Sequence, residues 1–106
     1  MAMTPEAKVK KKVVDKLKRA GAYYFYPVTG GYGGSGVPDI VACYCGRFIG
    51  IECKAGKNKP TPLQLKNLQD IETNEGVALV INETNLSDVD DALEICGGGY
   101  GWPKTT

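Results

Sequence analysis

The segment "GVPDIVACYCGRFIGIECKAGKNKPTPLQ", residues 36–64, decides the fold. Apolar and β-branched residues fill the stretches on both sides of a central glycine, which indicates two strands, residues 39–45 and 48–54. Gly46 suits the first central position of a two-residue type II′ turn, with Arg47 as the second. The segment therefore predicts a β-hairpin at the centre of the domain.

This turn sets which side chains meet across the hairpin. It pairs Asp39 with Lys54 and Val41 with Glu52, so that Asp39 lies diagonal to Glu52. Alternate residues of a strand share a face, so Glu52 and Lys54 point the same way while Cys53 points to the other side. Two carboxylates and an ammonium then converge within about 5 to 7 Å.

This donor set suits Mg²⁺, which prefers carboxylate oxygens and keeps positions for water and phosphate. A bound metal polarises a phosphoryl oxygen and activates water, while the lysine stabilises developing charge. Phosphodiester hydrolysis is therefore the predicted reaction. The structural alternative is a cross-strand ion pair between Asp39 and Lys54, with Glu52 on a solvated sheet face.

The flanking sequence predicts three helices and two further strands. Thr4 as N-cap before Pro5 predicts the start of the first helix, and Gly21 predicts its end. The other predicted elements are a strand in "YYFYPV" (residues 23–28), a helix capped by Thr61, a strand at residues 76–82 buried on both faces, and a helix from about Ser87. The order of helix, three strands, helix, strand and helix predicts a small mixed sheet flanked by helices in the α/β class.

Length and composition indicate one domain without histidine. The 106 residues suffice for a single core, which we expect over residues 1–96, with residues 97–106 as a flexible tail. The lack of histidine excludes Ser-His-Asp and Cys-His nucleophile systems, so any catalysis has to rest on carboxylates and lysines, with or without a metal. No apolar run approaches the roughly 20 residues of a membrane helix, and no signal-peptide pattern occurs. We expect a soluble protein in the cytoplasm of a bacterial or infected host cell.

The four cysteines admit two disulfides, a zinc site or free thiols. Three of them, Cys43, Cys45 and Cys53, fall in predicted strands, where a free cysteine behaves as a small apolar residue. No C-x-x-C pair occurs. Structural thiols are therefore the favoured interpretation.

The net charge of +1 conceals a division along the chain. Residues 1–66 hold 12 Lys and Arg against 4 Asp and Glu, whereas residues 67–106 hold 1 against 8. This asymmetry predicts a basic face for a polyanion such as DNA. The alternative is that the lysines of the first helix only solvate it.

Residues 36–64 and the helix before them resemble the signature of the PD-(D/E)XK nuclease superfamily and, more closely, its virus-type replication-repair nuclease (VRR-NUC) family. The matching elements are a leading helix bearing Glu6, the G-x-P-D entry to a strand, I-E-C-K, and P-T-P-L-Q opening the next helix. The resemblance implies a restriction-endonuclease-like core and a Mg²⁺-dependent DNA endonuclease, with Mn²⁺ able to substitute. It also implies metal binding by Asp39, Glu52 and Glu6, and catalysis by Lys54.

The same resemblance places Glu6 and Gln64 near the active site, although each has a structural alternative. A carboxylate in the first helical turn, such as Glu6, is favoured by the macrodipole. Gln64 follows Thr61 by three residues, as in a capping box. We expect DNA contacts from lysines and loop residues, namely Lys8, Lys12, Gly33, Gly34, Ser35 beside Gly36, Lys57 and Lys59.

The stretch "GYGGSG", residues 31–36, matches the G-x-G-x-x-G pattern of dinucleotide-binding loops. That pattern requires a helix after the last glycine, whereas Pro38 leads into a predicted buried strand, so we reject a nucleotide-binding switch. The glycines are instead predicted to let a phosphodiester backbone approach Asp39. Tyr32 either stacks on a base or is an ordinary exposed loop residue.

Two functions are compatible with these residues. The first is a structure-specific endonuclease of DNA repair that cuts branched DNA such as four-way junctions, in the manner of a Holliday-junction resolvase. Paired incisions need two sites related by two-fold symmetry, so we expect a homodimer that uses residues 23–28 or Tyr100 and Trp102 as its interface. The alternative is that these residues complete the core of the monomer. The second is a non-catalytic nucleic-acid-binding module of the same fold, which a divalent-metal cleavage assay distinguishes from the first.

Overall fold

The computed structural model describes residues 3–28 and 36–98, which form three helices and a four-stranded mixed sheet. The sheet order is β1-β2-β3-β4, with antiparallel pairing from β1 to β3 and parallel pairing of β3 with β4. This architecture confirms the predicted mixed α/β class. The elements are α1 (Pro5–Ala20), β1 (Tyr23–Phe25), β2 (Ile40–Tyr44), β3 (Arg47–Cys53), α2 (Pro62–Thr73), β4 (Val77–Ile81) and α3 (Ser87–Gly97).

The ends of α1 follow from its capping residues. The Thr4 Oγ1 accepts a hydrogen bond from the Ala7 backbone N–H at 3.1 Å, and Pro5 occupies the first turn. At the other end Gly21 adopts a left-handed conformation with φ of 81°. Both boundaries confirm the prediction, because each rests on a local preference that packing does not override.

The helices form two layers around the sheet. Helices α1 and α3 contact each other and cover one face, whereas α2 packs on the opposite face over β3 and β4. The main core lies on the α1 and α3 side, because the apolar positions of both helices and of the sheet converge there. Its largest fully buried members are Val13, Leu17, Ile40, Ile49, Ile51, Ile81, Val89 and Cys53.

The hairpin turn differs from the predicted one. Tyr44 pairs with Arg47, so the two turn residues are Cys45 and Gly46, and both have positive φ (51° and 83°) as in a type I′ turn. The predicted turn at Gly46 and Arg47 was therefore wrong, and the register of β2 against β3 shifts by two residues. Because side chains alternate with a period of two, this shift leaves every residue on its predicted face.

Two predictions of burial were also wrong. Strand β4 is an edge strand, and Ile81 is its one buried residue, so it is not buried on both faces. In β2 burial alternates, and Cys43 is exposed although we expected a buried strand there. All four cysteines are free thiols, and Cys45 belongs to the turn. Strand β4 is accessible because it has a neighbouring strand on one side only, whereas Cys43 is accessible because α2 packs mainly over β3 and β4.

The described part of the chain contains no helix that is long and apolar enough to cross a membrane. Of the predicted tail at residues 97–106, Gly97 ends α3 and Gly98 follows it. The rest of that segment, including Tyr100 and Trp102, lies outside the described residues.

Candidate active site

Glu52 is a buried carboxylate near the end of β3. Its side chain is 2% exposed and lies on the α2 face of the sheet, as does Gly50. The Oε2 atom is 3.5 Å from the Lys54 Nζ, and the buried Oε1 atom has no hydrogen-bond partner. A buried carboxylate oxygen without a donor is costly, so this position favours a cation.

Asp39 immediately precedes β2 and adjoins Glu52. The observed register, continued by one residue beyond Ile40 and Ile51, places Asp39 opposite Glu52, so the predicted pairing of Asp39 with Lys54 was wrong. The Asp39 Oδ2 accepts a hydrogen bond from the Cys53 backbone N–H at 2.8 Å. The hairpin therefore brings the two carboxylates closer in register than predicted, with Lys54 beside Glu52.

The electrostatics of Glu52 follow from this placement. Burial raises its pKa from 4.5 to about 7, and the neighbouring Asp39 carboxylate contributes to that rise. Lys54 and a hydrogen bond from the Asp39 backbone act in the opposite direction without cancelling these effects. The positive charge around Glu52 is thus too small to offset the cost of burying its ionised form.

These residues fit a divalent cation. The unpartnered Oε1 of Glu52 and the second carboxylate of Asp39 supply hard oxygen donors, and water or phosphate oxygens would complete the shell. Within residues 3–28 and 36–98, no group of three or more His, Cys, Asp or Glu side chains gathers in a way that could hold a metal. The role of Glu6 as a third ligand remains a prediction.

Glu6 lies exposed in the first turn of α1. Its charge is among those that raise the pKa of the Cys53 thiol to about 12, after burial, Asp39 and Glu52. Cys53 points to the α1 side of the sheet, opposite to Glu52. The charge of Glu6 therefore acts on Cys53, on the face of the sheet opposite to Glu52.

Gln64 has the structural role that the sequence offered as its alternative. Its Oε1 accepts a hydrogen bond from the Thr61 N–H at 2.8 Å, while the Thr61 Oγ1 accepts one from the Gln64 N–H at 3.2 Å. This reciprocal pair is a capping box at the start of α2. Gln64 also lines a cavity that Asp39 borders, so capping places its side chain at the candidate site.

That cavity, of about 390 Å³, is lined by two polar side chains that were not among the site residues predicted from sequence. They are Lys10 of α1 and Tyr26, with the Lys10 Nζ 4.6 Å from the centre of the Tyr26 ring. The sequence could have identified Lys10 as a site residue, because it follows Glu6 by four residues and lies on the same helix face as Val13. Nothing in the sequence marked Tyr26 as a site residue, because a tyrosine after a short strand is equally common in a core.

The predicted DNA contacts fall in three places. Lys8 and Lys12 are exposed on α1, about 200° around the helix from Lys10, so they lie on the side away from the cavity. Lys57 and Lys59 are exposed in the loop between β3 and α2. Gly36 lines the cavity, whereas Gly33, Gly34, Ser35 and the stacking candidate Tyr32 lie outside the described residues.

Fold and site together define an α/β protein with two carboxylates and a lysine at the ends of adjacent strands. No family model matches the chain. The chain is 31% identical over 90 residues to the protein named "Putative nuclease p44" of Acyrthosiphon pisum secondary endosymbiont phage 1, covering 84% of this chain and 95% of the phage protein. The chain belongs to the family of that phage protein.

Proposed function

We propose that this protein is a Mg²⁺-dependent DNA endonuclease of the PD-(D/E)XK superfamily and its VRR-NUC family. The observation that carries the proposal is the buried Glu52 with its unpartnered oxygen, placed between Asp39 and Lys54. A carboxylate that structure alone required would have its donors within the fold. The name of the phage relative, a nuclease, supports the same class of reaction.

In this proposal Asp39 and Glu52 hold the metal. When bound there, a metal would supply Lewis-acid polarisation of the scissile phosphate and would lower the pKa of a water. The Asp39 carboxylate is oriented by the Cys53 N–H, and Lys54 balances the charge of Glu52. The Lys54 ammonium, with about 15% of its side chain exposed, also donates to a phosphate oxygen as negative charge develops there.

A cleavage assay tests the function. The protein is incubated with single-stranded, duplex, flap and four-way-junction DNA in Mg²⁺, in Mn²⁺ or in EDTA. Cleavage in either metal and none in EDTA supports the nuclease, and preference for the junction supports structure specificity. Binding without cleavage under every condition would instead identify the non-catalytic nucleic-acid-binding module.

A homodimer is the second part of the proposal, and an uncovered surface supports it. We call this surface the aromatic face: it lies on the α2 side of the sheet, on β1, β2 and the start of β3, and consists of Tyr23, Phe25, Val41, Cys43 and Phe48. Tyr23 is 71% exposed, and its ring centre is 6.3 Å from that of Phe25. None of the five residues is charged.

A second copy of the chain is the occupant that charge favours. An uncharged aromatic patch can pair with itself across a two-fold axis without bringing like charges together, unlike the basic and acidic parts of the chain. Asp39 and Glu52 lie on the same side of the sheet as the aromatic face. Such a dimer therefore presents two sites in two-fold relation, which paired incisions in a four-way junction require.

A further inference from the structure

The cavity beside Asp39 contains groups that the proposed reaction does not use. It lies between α1, the chain around Tyr26, the segment leading into β2, and the start of α2. Its volume of about 390 Å³ falls in the range of small-molecule sites. Asp39 borders it, so anything bound there is adjacent to the reacting phosphate.

Lys10 gives this cavity a positive charge that is not held in a direct ion pair, although Asp39 borders the same cavity. Within the described residues, no Asp or Glu oxygen forms an ion pair with its Nζ, whereas the neighbouring Lys11 pairs with Asp15 at 3.1 Å. The ring of Tyr26 lies 4.6 Å from the Nζ and orients it by a cation–π contact. An oriented, half-buried ammonium of this kind is suited to an external anion.

Two further groups suit a nucleotide. Tyr26 is 47% exposed and is held by the edge of Tyr24, with the ring centres 6.1 Å apart, so it presents a fixed aromatic surface. The Gln64 Oε1 is occupied by Thr61, which leaves its amide N–H groups as the donors that line the cavity. The aromatic surface of Tyr26 can stack on the base of one nucleotide. The Lys10 ammonium and the Gln64 amide can both bind oxygens of its phosphate.

We propose that this cavity is the subsite for the nucleotide next to the scissile phosphate, with Lys10 binding a backbone phosphate and Tyr26 stacking on the base. The inference rests on the proposed nuclease function, because it takes the substrate to be DNA. Under this proposal Lys10 and Tyr26 bind one nucleotide at a defined position. Neither the basic face of α1 nor the metal site provides such binding. Lys10 binds the substrate directly and takes no part in the chemical step.

Binding measurements in EDTA test the subsite without cleavage. Fluorescence anisotropy with a labelled flap DNA compares wild type with Lys10→Gln, Tyr26→Leu and Tyr26→Phe. Lys10→Gln should weaken binding about tenfold and reduce the slope of log K against log salt by about one, as for one lost phosphate contact. Tyr26→Leu should weaken binding about tenfold, whereas Tyr26→Phe keeps the ring and should stay within about twofold of wild type.

Lys11→Gln is the matched control, because it removes the same charge from the next residue of α1 outside the cavity. It should change affinity less than about twofold. In Mg²⁺, Lys10→Gln should raise KM with kcat within about threefold of wild type. Equal DNA affinities and salt slopes for Lys10→Gln and Lys11→Gln would overturn the subsite. The subsite would also be wrong if Lys10→Gln bound DNA weakly only because its melting temperature was lowered.

A separate probe distinguishes failure of the subsite from failure of the nuclease proposal. NMR titration of the wild-type protein with thymidine 5′-monophosphate should shift the Tyr26 ring signals, and thymidine or inorganic phosphate alone should shift them less. If the protein cuts no DNA in Mg²⁺ or Mn²⁺ but these shifts occur, the nuclease proposal fails and the nucleotide site stands. If it cuts DNA but Tyr26 is unaffected, only the subsite is wrong.

Discussion

The Oδ2 of Asp39 accepts a hydrogen bond from the backbone N–H of Cys53 at 2.8 Å, across the open end of the β2 and β3 hairpin. This bond fixes one oxygen of the carboxylate against β3 and leaves the other oxygen for a ligand. It also explains why Asp39 stays beside Glu52 although the two charges repel. The backbone of one strand thus positions the acid of the other.

Removal of single site groups should separate cleavage from binding. Asp39→Asn and Lys54→Ala should each lower the cleavage rate by at least ~100-fold, since each removes a charge that acts on the reacting phosphate. DNA affinity should stay within a few-fold, because it depends on the number of phosphates neutralised over the whole surface. The measurement is single-turnover cleavage alongside anisotropy.

The matched control for these variants is Lys66→Ala, which breaks an exposed ion pair with Asp70 on α2. It should leave the cleavage rate within about twofold of wild type. Wild-type cleavage by Asp39→Asn or by Lys54→Ala would show that the site is assigned to the wrong residues.

The raised pKa of Glu52 predicts that stability depends on pH when metal is absent. The pKa is 4.5 without the fold and about 7 within it, so the folded state binds the proton more tightly. Stability is therefore greatest below pH 4.5, falls as the pH rises to about 7, and is then constant with respect to this group. The total loss is on the order of 3 kcal/mol by the conversion of pKa to free energy.

Urea unfolding in EDTA at pH values from about 4 to 8 measures this loss. Glu52→Gln is the control, because glutamine has the same shape and cannot ionise. The free energy of unfolding of this variant should not fall between pH 4.5 and 7. A wild-type profile parallel to that of Glu52→Gln would contradict the assigned charge balance.

Metal binding should release a proton from Glu52 near neutral pH. Because the pKa of Glu52 is about 7, part of the population is protonated at neutral pH, and Mg²⁺ binds only the ionised carboxylate. Calorimetric titration with Mn²⁺ in two buffers of different ionisation enthalpy should give different apparent enthalpies. Glu52→Gln should bind Mn²⁺ at least about tenfold more weakly, and identical enthalpies in both buffers would refute the linkage.

The aromatic face should hold the dimer together. Sedimentation at micromolar concentration should give twice the chain mass of 11.4 kDa for wild type, and the monomer mass for Phe25→Glu and Phe48→Asp. Ile95→Glu is the matched control, because Ile95 is 61% exposed on α3, away from this face. A short bis-maleimide should crosslink wild-type chains through the exposed Cys43, and a monomeric wild type that nicks junctions singly would refute the dimer.

Gly36 should be required at the cavity wall. It has φ of +66°, and an added Cβ would lie 2.7 Å from the Leu63 carbonyl carbon, which belongs to the main chain and cannot rotate away. Gly36→Ala should cost about 1–3 kcal/mol more than Gly21→Ala, which shares the positive φ but has nothing within 4 Å. Urea unfolding of both variants measures the difference, and equal losses would show that the Leu63 contact is unimportant.

Much of the site was predictable because it depends on local pattern. The alternation of a strand places Glu52 and Lys54 on one face, and this holds for any even shift of register. The register itself was not predictable, because Gly46 is acceptable in two turns and nothing in the sequence indicates that Cys45 adopts positive φ. The pairing of Asp39 with Glu52 follows from the positive φ of Cys45, which places the turn at Cys45 and Gly46.

The properties that the sequence did not predict depend on neighbours distant along the chain. The exposure of β4 results from its place at the sheet edge, which composition does not encode. Lys10 was one of several lysines in a helix until the fold placed Tyr26 and Asp39 around the same cavity. The capping box of Gln64 was predictable, but its position at the cavity depends on how α2 meets the chain before β2.

The two-residue turn between β2 and β3 also has a consequence for folding kinetics. Closing so short a loop costs little chain entropy, and isolated hairpins form in about 1–10 μs, before distant elements can meet. The hairpin therefore brings Asp39 and Glu52 together while β4 and α3 are still unattached, and their mutual repulsion opposes the step. A divalent cation that bound the pair at this stage would remove that repulsion, and would therefore raise the folding rate as well as the stability of the folded chain.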